Sequence, residues 1–346
     1  MKGLALESVT LRRALVVGLV LLVVWVLVPI VLSTFWVQIL TSVAVYSIVT
    51  LSLALLAGRV GLVSLGQIAL LAVAGWIALR LAFAFDPPYP LLLVVTGVLT
   101  GIFGTLIGLP ALRLSGLYLA LITLMAASAI TQILAAVNFP NGGEGFLGES
   151  ASAAGANAAI VARPDWMASD AAFFRVAVIV AALMFLLGVW HVHGKAGRAW
   201  AAIRQSESAA IAAGVNVTQY KLWAFALASF MTGVAGCLLA ASAGGLTTYA
   251  FPAPDSITIL AVVLMGGIFN FWGAIVAAVL MKLFPEILKN FRIPADVLTI
   301  LFGVGVLQAM TTAPSGISVQ MGRDLTNLGH RLGRLAGRRS AARSSS

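Results

Sequence analysis

Few side chains in this chain could do chemistry, and none of them forms a catalytic or nucleotide-binding pattern. The nearest approach to a P-loop ends at Gly194-Lys195, but it has one residue too many, and Ala196 stands where a magnesium-binding hydroxyl is needed. No Gly-x-Ser-x-Gly, His-Glu-x-x-His or pair of aspartates within an apolar run occurs. His191 and His193 have no third ligand nearby. We therefore predict no catalytic residues, no metal site and no ATP hydrolysis by this chain itself.

Glycines interrupt two apolar segments, which points either to broken helices or to close helix packing. They are Gly58, Gly61, Gly66 and Gly75 in one segment, and Gly266, Gly267 and Gly273 in the other. Broken helices expose polar groups to a substrate path in transporters, whereas small residues also let helices approach closely. On the first interpretation Ser64, Gly66 and Gln67 lie along a path. Thr123 is a weaker candidate, because Thr in a span often bonds the preceding turn.

Ionisable side chains inside the apolar segments are scarce. Ion-driven carriers bury such groups as coupling sites. The candidates are Arg80, Lys282 and Glu286, and the last two, four residues apart, are expected to neutralise one another. Energy for transport must then come from another protein, or the chain is a passive pore.

The composition predicts an all-α polytopic membrane protein. Of 346 residues, 61% are apolar and 9% charged, against roughly 25% charged in soluble domains. Apolar runs of about 20 residues, enough to cross a hydrocarbon core of about 30 Å, recur along the chain. The single Cys237 lies in such a run and is expected to pack there. We predict about ten spans: Ala14–Leu32, Val37–Leu56, Gly61–Phe85, Leu91–Leu109, Gly116–Ala136, Phe173–Val192, Leu222–Ala243, Ile257–Gly267, Gly273–Leu288 and Val297–Met310, of which the eighth is short.

The distribution of charge predicts the orientation. With both termini cytoplasmic, the inner segments hold 15 of the 21 Lys and Arg residues, as the positive-inside rule requires. We expect a permease domain over 1–322, with an outward loop at 137–172 and a cytoplasmic loop at 193–221. We expect residues 323–346 to form a basic, disordered tail that touches anionic lipid. The tail explains much of the net charge of +10 without nucleic acid.

The loop 193–221 is the one connection that membrane burial does not explain. Ser206 is a plausible helix N-cap, Glu207 suits the first turn, and Gly214 suits the position after the last turn. This predicts a helix over Glu207–Ala213 whose alanines, Ala209 and Ala210 among them, leave a smooth surface for a soluble partner. An ordinary amphipathic loop at the membrane interface remains the alternative.

The sequence Glu207-Ser-Ala-Ala-Ile-Ala-Ala-Gly214 resembles the EAA loop of bacterial ABC importer permeases. With the flanking Gly197–Arg204 and Gly214–Gly236 it resembles the LivM-type permeases of branched-chain amino acid importers. Shorter similarities are Gly61-Leu-Val-Ser-Leu-Gly-Gln67, Leu112–Leu124, Asn141-Gly-Gly-Glu-Gly145 and Gly266–Gly273. The chain departs from the family pattern at several positions: Ile68-Ala-Leu-Leu is aliphatic, Pro140 replaces a Thr, and Phe269 replaces a Gly.

The resemblance implies the ABC importer permease fold in a bacterial cytoplasmic (inner) membrane. It implies four kinds of partner: a second related permease, two P-loop ATPase subunits that carry ATP and Mg²⁺, an extracytoplasmic substrate-binding protein, and the lipid bilayer. ATPase coupling is assigned to Arg204, Glu207, Ala209, Ala210 and Gly214. Asn141 and Glu144 are assigned to the outer gate or the binding-protein contact. The implied cargo is a branched-chain or related amino acid.

Two other classes of function compete with the importer, a passive channel and an intramembrane enzyme. A passive channel or permease for urea, amides or another small polar solute fits the scarcity of charge within the spans. A passive channel would leave the loop 193–221 without a purpose. An intramembrane enzyme lacks any suitable set of residues. Loss of uptake on changing Gly214 to Pro would separate the importer from the channel.

Overall fold

A computed structural model describes residues 18–111, 116–136, 160–243 and 250–290, with a few positions between 246 and 320. All regular structure in these ranges is helical. The predicted outer-gate residues Asn141 and Glu144, most of the tenth predicted span and the basic tail lie outside the described residues.

Seven helices in the described ranges are long and apolar enough to cross a membrane, and two shorter apolar helices accompany them. They confirm a polytopic all-α membrane protein and, approximately, the predicted number of spans. In chain order the helices are α1 (Gly18–Val31), α2 (Thr34–Val60), α3 (Gln67–Phe85), α4 (Tyr89–Ala111), α5 (Leu117–Ala136), α6 (Asp170–His193), α7 (Lys195–Gln205), α8 (Glu207–Ala212), α9 (Val217–Ala243), α10 (Asp255–Gly266) and α11 (Phe271–Asn290). Helices α7 and α8 are the two short ones that lie between the long helices α6 and α9.

The centre of the bundle is formed by α2 and α9, whose side chains are mostly buried. Helix α9 packs against α4, α3 and α2. Small residues allow the close approach: a Cβ on Gly236 would collide with Ala74, and one on Gly104 would collide with Ser229. Cys237 is fully buried in this core, which confirms its expected packing role.

The chain is not helical between α2 and α3, so the predicted start of the third span at Gly61 is wrong. Gly61 has φ of +84°, which ends α2, and regular helix resumes only at Gln67. The Gln67 amide oxygen lies 2.8 Å from the hydroxyl of Thr232, a residue in the middle of α9. The segment 61–66 therefore turns back into the bundle, and α3 begins near mid-depth. Non-helical backbone is tolerated at that depth only where protein buries it or water reaches it.

Helix α10 is the second incomplete span. Its 12 residues are about 18 Å long, too short to cross the hydrocarbon core. The Ser256 hydroxyl near its start accepts a hydrogen bond from the Ile68 amide at 3.4 Å, so α10 begins beside the start of α3. A turn over residues 267–270 then leads to α11, where the Asn270 side chain accepts a hydrogen bond from the Trp272 amide.

Close packing of glycines joins α10 to α11. A Cβ on Gly273 would collide with the carbonyl oxygens of Gly266 and Gly267, and Gly267 has φ of +108°. Close packing is therefore confirmed at the α10–α11 junction, while a substrate path along the other segment stays a prediction. Gly61 and Gly66 flank a broken helix, whereas Gly266 and Gly273 permit a tight crossing.

The Gly273→Ala substitution is expected to destabilise the folded chain by about 1–3 kcal/mol, the range typical of overpacking. The backbone must shift, because the colliding atoms are carbonyl oxygens rather than flexible side chains. Thermal melting of the purified protein in detergent measures the loss. Gly188→Ala is the matched control, since its Cβ would meet only side-chain atoms at 3.6 Å or more. Equal melting temperatures for the two variants would contradict the argument.

Candidate functional site

The segment between α6 and α9 forms two short helices on the face where α6 ends and α9 begins. Helix α7 buries Ala199, Trp200 and Ile203 against the bundle and exposes its other face. The Trp200 indole donates a hydrogen bond to the Tyr220 carbonyl oxygen at 2.9 Å, which attaches α7 to the first turns of α9. The sequence predicts only one helix in this segment, so α7 is a second helix that was not predicted.

The helix predicted over Glu207–Ala213 is present as α8, Glu207–Ala212. The Ser206 hydroxyl accepts a hydrogen bond from the Ala209 amide at 3.3 Å and caps the first turn. At the other end Gly214 has φ of +79°, its amide bonds the Ile211 carbonyl oxygen, and the Val215 amide bonds the Ala210 carbonyl oxygen. These two bonds form a Schellman motif, which requires a left-handed residue at Gly214.

The exposed surface of α8 is small and smooth. Ala209 and Gly214 are exposed, and Ile211 projects with 63% of its surface exposed. Ala210 is buried and contacts the bundle instead. Of the two predicted coupling alanines, Ala209 is therefore the one available to a partner.

Glu207 is attached to the membrane domain by an ion pair. Its carboxylate lies 2.6 Å from the Lys221 ammonium group in the first turns of α9. The Lys221 side chain is 5% exposed and that of Glu207 is 48% exposed. The pair therefore ties the start of α8 to α9 while leaving part of the Glu207 carboxylate accessible. The sequence prediction included Glu207 but missed Lys221.

The Glu207→Gln substitution is expected to destabilise the chain by about 1–2 kcal/mol. It leaves the buried Lys221 cation without its carboxylate, and the half-exposed position of Glu207 reduces the effect below that of a fully buried pair. Thermal melting in detergent measures the change. Adding Lys221→Met should restore stability, because both charges are then removed. A double variant as unstable as the single one would show that the ion pair is not the cause.

Arg204 joins the end of α7 to two other elements. Its guanidinium donates a hydrogen bond to the Gly58 carbonyl oxygen at 2.8 Å and lies 4.3 Å above the centre of the Phe269 ring. The side-chain carbons of Arg204 pack on Gly61, 3.4 Å from where a Cβ would stand. One side chain thus contacts the end of α2, the start of the 61–66 break and the 267–270 turn.

Arg59 reinforces the same junction. Its guanidinium donates to the Phe269 carbonyl oxygen at 3.0 Å and lies 5.3 Å above the Phe271 ring centre. We call Arg59, Arg204, Phe269 and Phe271 the arginine–phenylalanine junction. The sequence prediction named Arg204 alone. In the sequence Phe269 is only a departure from the family pattern. The structure shows its role, because both arginines contact it.

The predicted path residues come together at the start of α3. The Leu65 amide donates to the Thr123 hydroxyl at 2.9 Å, and Thr123 donates in turn to the Ala120 carbonyl oxygen. The Ser64 hydroxyl accepts from the Gly66 amide at 3.4 Å. These side chains supply hydrogen bonds to the Leu65 and Gly66 amides in the break. Their predicted contact with a transported molecule stays a prediction.

Gln67 belongs to a buried polar cluster with Ser52 and Thr232. Its amide oxygen lies 2.8 Å from the Thr232 hydroxyl and 3.3 Å from that of Ser52. Each hydroxyl also lies within bonding distance of a carbonyl oxygen in its own helix, Val49 for Ser52 and Ala228 for Thr232. Each hydroxyl has only one proton, so it donates either to the carbonyl oxygen in its own helix or to Gln67. That choice decides whether the oxygen or the nitrogen of the Gln67 amide faces the two hydroxyls. In either orientation one end of the Gln67 amide is left without a partner among the described residues.

The expected pairing of Lys282 with Glu286 is wrong. Glu286 is paired with Lys289 at 2.6 Å, and the Lys282 ammonium lies 3.9 Å above the Tyr46 ring centre. The backbone is π-helical over Val279–Leu283, so the four-residue spacing no longer follows α-helical geometry. The two histidines, for their part, place their Nδ1 atoms against backbone carbonyl oxygens one turn earlier in α6.

A bundle of apolar helices with two interrupted spans and an exposed, capped helix on one face defines a multi-pass membrane protein. The family described as "Branched-chain amino acid transport system / permease component" matches residues 35–310, and the chain belongs to it. It is therefore a permease subunit of an importer rather than an enzyme.

Two curated relatives are similar over most of their length. The high-affinity branched-chain amino acid transport system permease protein LivM of Escherichia coli K12 is 28% identical over 306 residues, which cover 83% of this chain and 71% of the relative. LivM of Salmonella typhimurium LT2 is 28% identical over 304 residues, with the same coverage. No solved structure matches the chain.

Proposed function

We propose that this chain forms half of the translocation pathway of an ATP-driven importer for branched-chain or related amino acids. A second related permease completes the pathway, two P-loop ATPase subunits hold ATP and Mg²⁺, and an extracytoplasmic binding protein delivers the cargo. The membrane is the bacterial inner membrane, with both termini cytoplasmic. The positive-inside distribution of charge supports this orientation, and the cargo named for both LivM relatives supports the substrate.

The observation that carries the proposal is the construction of α8. A helix of six residues is too short to be stable alone, yet it is capped at both ends and tied to α9 through Glu207. Its remaining surface, with Ala209 and Ile211, is exposed in the described chain. A rigid, shallow helix with one projecting isoleucine suits a groove in a soluble partner. We assign that groove to the ATPase subunit.

The proposed mechanism transmits motion from α8 to the broken helices. ATP binding draws the two ATPases together and displaces α7 and α8. Arg204 conveys the displacement to the end of α2 and to the 267–270 turn, because it contacts both. Each of these elements adjoins an interrupted helix, α3 in the first case and α10 in the second. The interrupted helices then change the access of the pathway from one side to the other.

Purification of this chain from native membranes in mild detergent, followed by mass spectrometry of the proteins bound to it, tests the proposal. A second permease and P-loop ATPases are expected, and a binding protein in the same set identifies the cargo directly. A homo-oligomer without any ATPase, reproduced after gentle cross-linking, would refute the importer and favour a passive channel.

A further inference from the structure

The two interrupted helices begin at the same place, in the middle of the bundle. The Ile68 amide at the start of α3 donates to the Ser256 hydroxyl at the start of α10. Ser256 is 1% exposed, and the neighbouring Gln67 contacts Thr232 at the middle of α9. Two helix N-termini, each at the positive end of its helix dipole, therefore meet near mid-depth.

Asp255 is the first residue of α10 and lies at this meeting point. Because α10 starts inside the bundle, Asp255 is an ionisable residue within the membrane, next to Ser256. The sequence assigns Asp255 to a loop just outside a predicted span, so it was not predicted as a substrate-binding residue. Asp255 is only partly buried in this chain. A charged group at this depth is expensive in lipid and almost always faces the protein interior or a water-filled cavity.

Lys282 on α11 provides the opposite charge. It lies in the π-helical turn of α11, which packs against α10, and its ammonium group lies against the Tyr46 ring. Glu286, the nearer carboxylate in sequence, is paired with Lys289 instead. An acid on α10 and a base on the part of α11 that packs against it thus face the same region of the bundle.

An unsatisfied amide completes the arrangement. Gln67, the first residue of α3, is 1% exposed, and with its amide oxygen toward Thr232 its side-chain nitrogen has no hydrogen-bond partner among the described residues. A buried polar atom without a partner is costly and unusual in a native protein. At the start of an interrupted helix it is available to a polar molecule that passes through.

We propose that Asp255 and Lys282 form the charged part of a site for an α-amino acid zwitterion in transit. Asp255 binds the ammonium group, and Lys282 binds the carboxylate together with Gln67 and the N-terminus of α3. A zwitterion held between Asp255 and Lys282 neutralises both charges, so the loaded site leaves no uncompensated charge in the membrane. A neutral solute such as urea would require neither residue. This inference rests on the proposed importer function.

Chemical labelling of the unmodified importer tests the site. The assembled complex in nanodiscs is treated with a membrane-impermeant amine acetylating reagent, and the modified lysines are identified by mass spectrometry. We expect Lys282 to be labelled in at least one nucleotide state and to be protected several-fold by L-leucine. Lys289, on the same helix with its side chain 55% exposed, is the control and should label equally with and without leucine. A Lys282 that never labels, or that labels without protection, would overturn the proposal.

Substitutions provide the second measurement. Asp255→Asn and Lys282→Met should each reduce ATP-driven leucine uptake at least about tenfold while the partner permease and ATPases still co-purify. Glu286→Gln, which removes a different ion pair on α11, should leave uptake near the wild-type value. Uptake near wild type in Asp255→Asn, or recovery in the exchanged pair Asp255→Lys/Lys282→Asp, would limit the pair to a structural role and overturn the site. If the chain is not part of a leucine importer, the wild-type protein co-purifies without ATPases or shows no leucine uptake. That result differs from one in which only the proposed site is wrong.

Discussion

Replacing Gly214 with proline is expected to lower uptake to about one hundredth of the wild-type rate or less. Proline fixes φ near −65°, whereas Gly214 has φ of +79°, and it removes the amide that bonds the Ile211 carbonyl oxygen. The combined effect is about 3 kcal/mol, which exceeds what a helix of six residues can tolerate. Helix α8 should unfold locally, and the ATPase should lose its docking surface. Uptake in proteoliposomes and ATPase co-purification are the measurements.

The matched control occupies the same position. Gly214→Asn should retain most of the uptake, because asparagine tolerates the left-handed conformation and no atom lies within 4 Å of the added Cβ. Both variants should reach the membrane in similar amounts, since Gly214 is exposed and outside the bundle. Undiminished uptake in Gly214→Pro would remove α8 from the transport cycle. Equal loss in both variants would attribute the effect to the side chain rather than to the backbone conformation.

Replacing Arg204 with alanine should uncouple ATP hydrolysis from transport. The substitution removes a charged hydrogen bond to Gly58 and a cation–π contact with Phe269, together worth about 2 kcal/mol. If that energy transmits the displacement of α7, uptake should fall about thirtyfold. The ATPases should still bind and hydrolyse ATP, because the exposed surface of α8 is unchanged. Parallel measurements of uptake and phosphate release by the same proteoliposomes give the coupling ratio.

Arg198 provides the comparison for Arg204. It lies on the same helix and is exposed, so Arg198→Ala should keep a normal coupling ratio. Arg204→Lys should fall between the wild type and alanine, since a lysine cannot both stack on Phe269 and reach Gly58 with planar geometry. Loss of ATPase binding in Arg204→Ala would make Arg204 a direct docking contact instead. A normal coupling ratio in that variant would exclude the arginine–phenylalanine junction from transmission.

The sequence was informative where a structural signal is local. Apolar runs located the long helices to within a few residues, because crossing the membrane requires a minimum length of apolar chain. The caps of α8 were also predictable, since Ser206 acts on an amide three residues away and Gly214 on carbonyls within one turn. The motif around Glu207 identified the family, which the match over residues 35–310 confirmed.

The sequence was misleading where the outcome depended on distant partners. Hydropathy alone could not show that residues 61–66 turn back into the bundle, because the Leu65 amide is bonded by Thr123, which is distant in sequence, and the Gly66 amide by Ser64. The spacing of Lys282 and Glu286 suggested a pair, but a π-helical turn and the nearer Lys289 separated them. Asp255 was assigned to a loop because a short apolar run gives no indication of the depth at which it begins.

The class, the family and the capped helix α8 were thus determined by the sequence alone, because each depends on residues adjacent along the chain. The partners of Arg204, the Glu207–Lys221 ion pair and the meeting of α3 with α10 were decided only by the tertiary structure. Those contacts join residues far apart in sequence, and the energy that selects one partner over another comes from packing of the whole bundle.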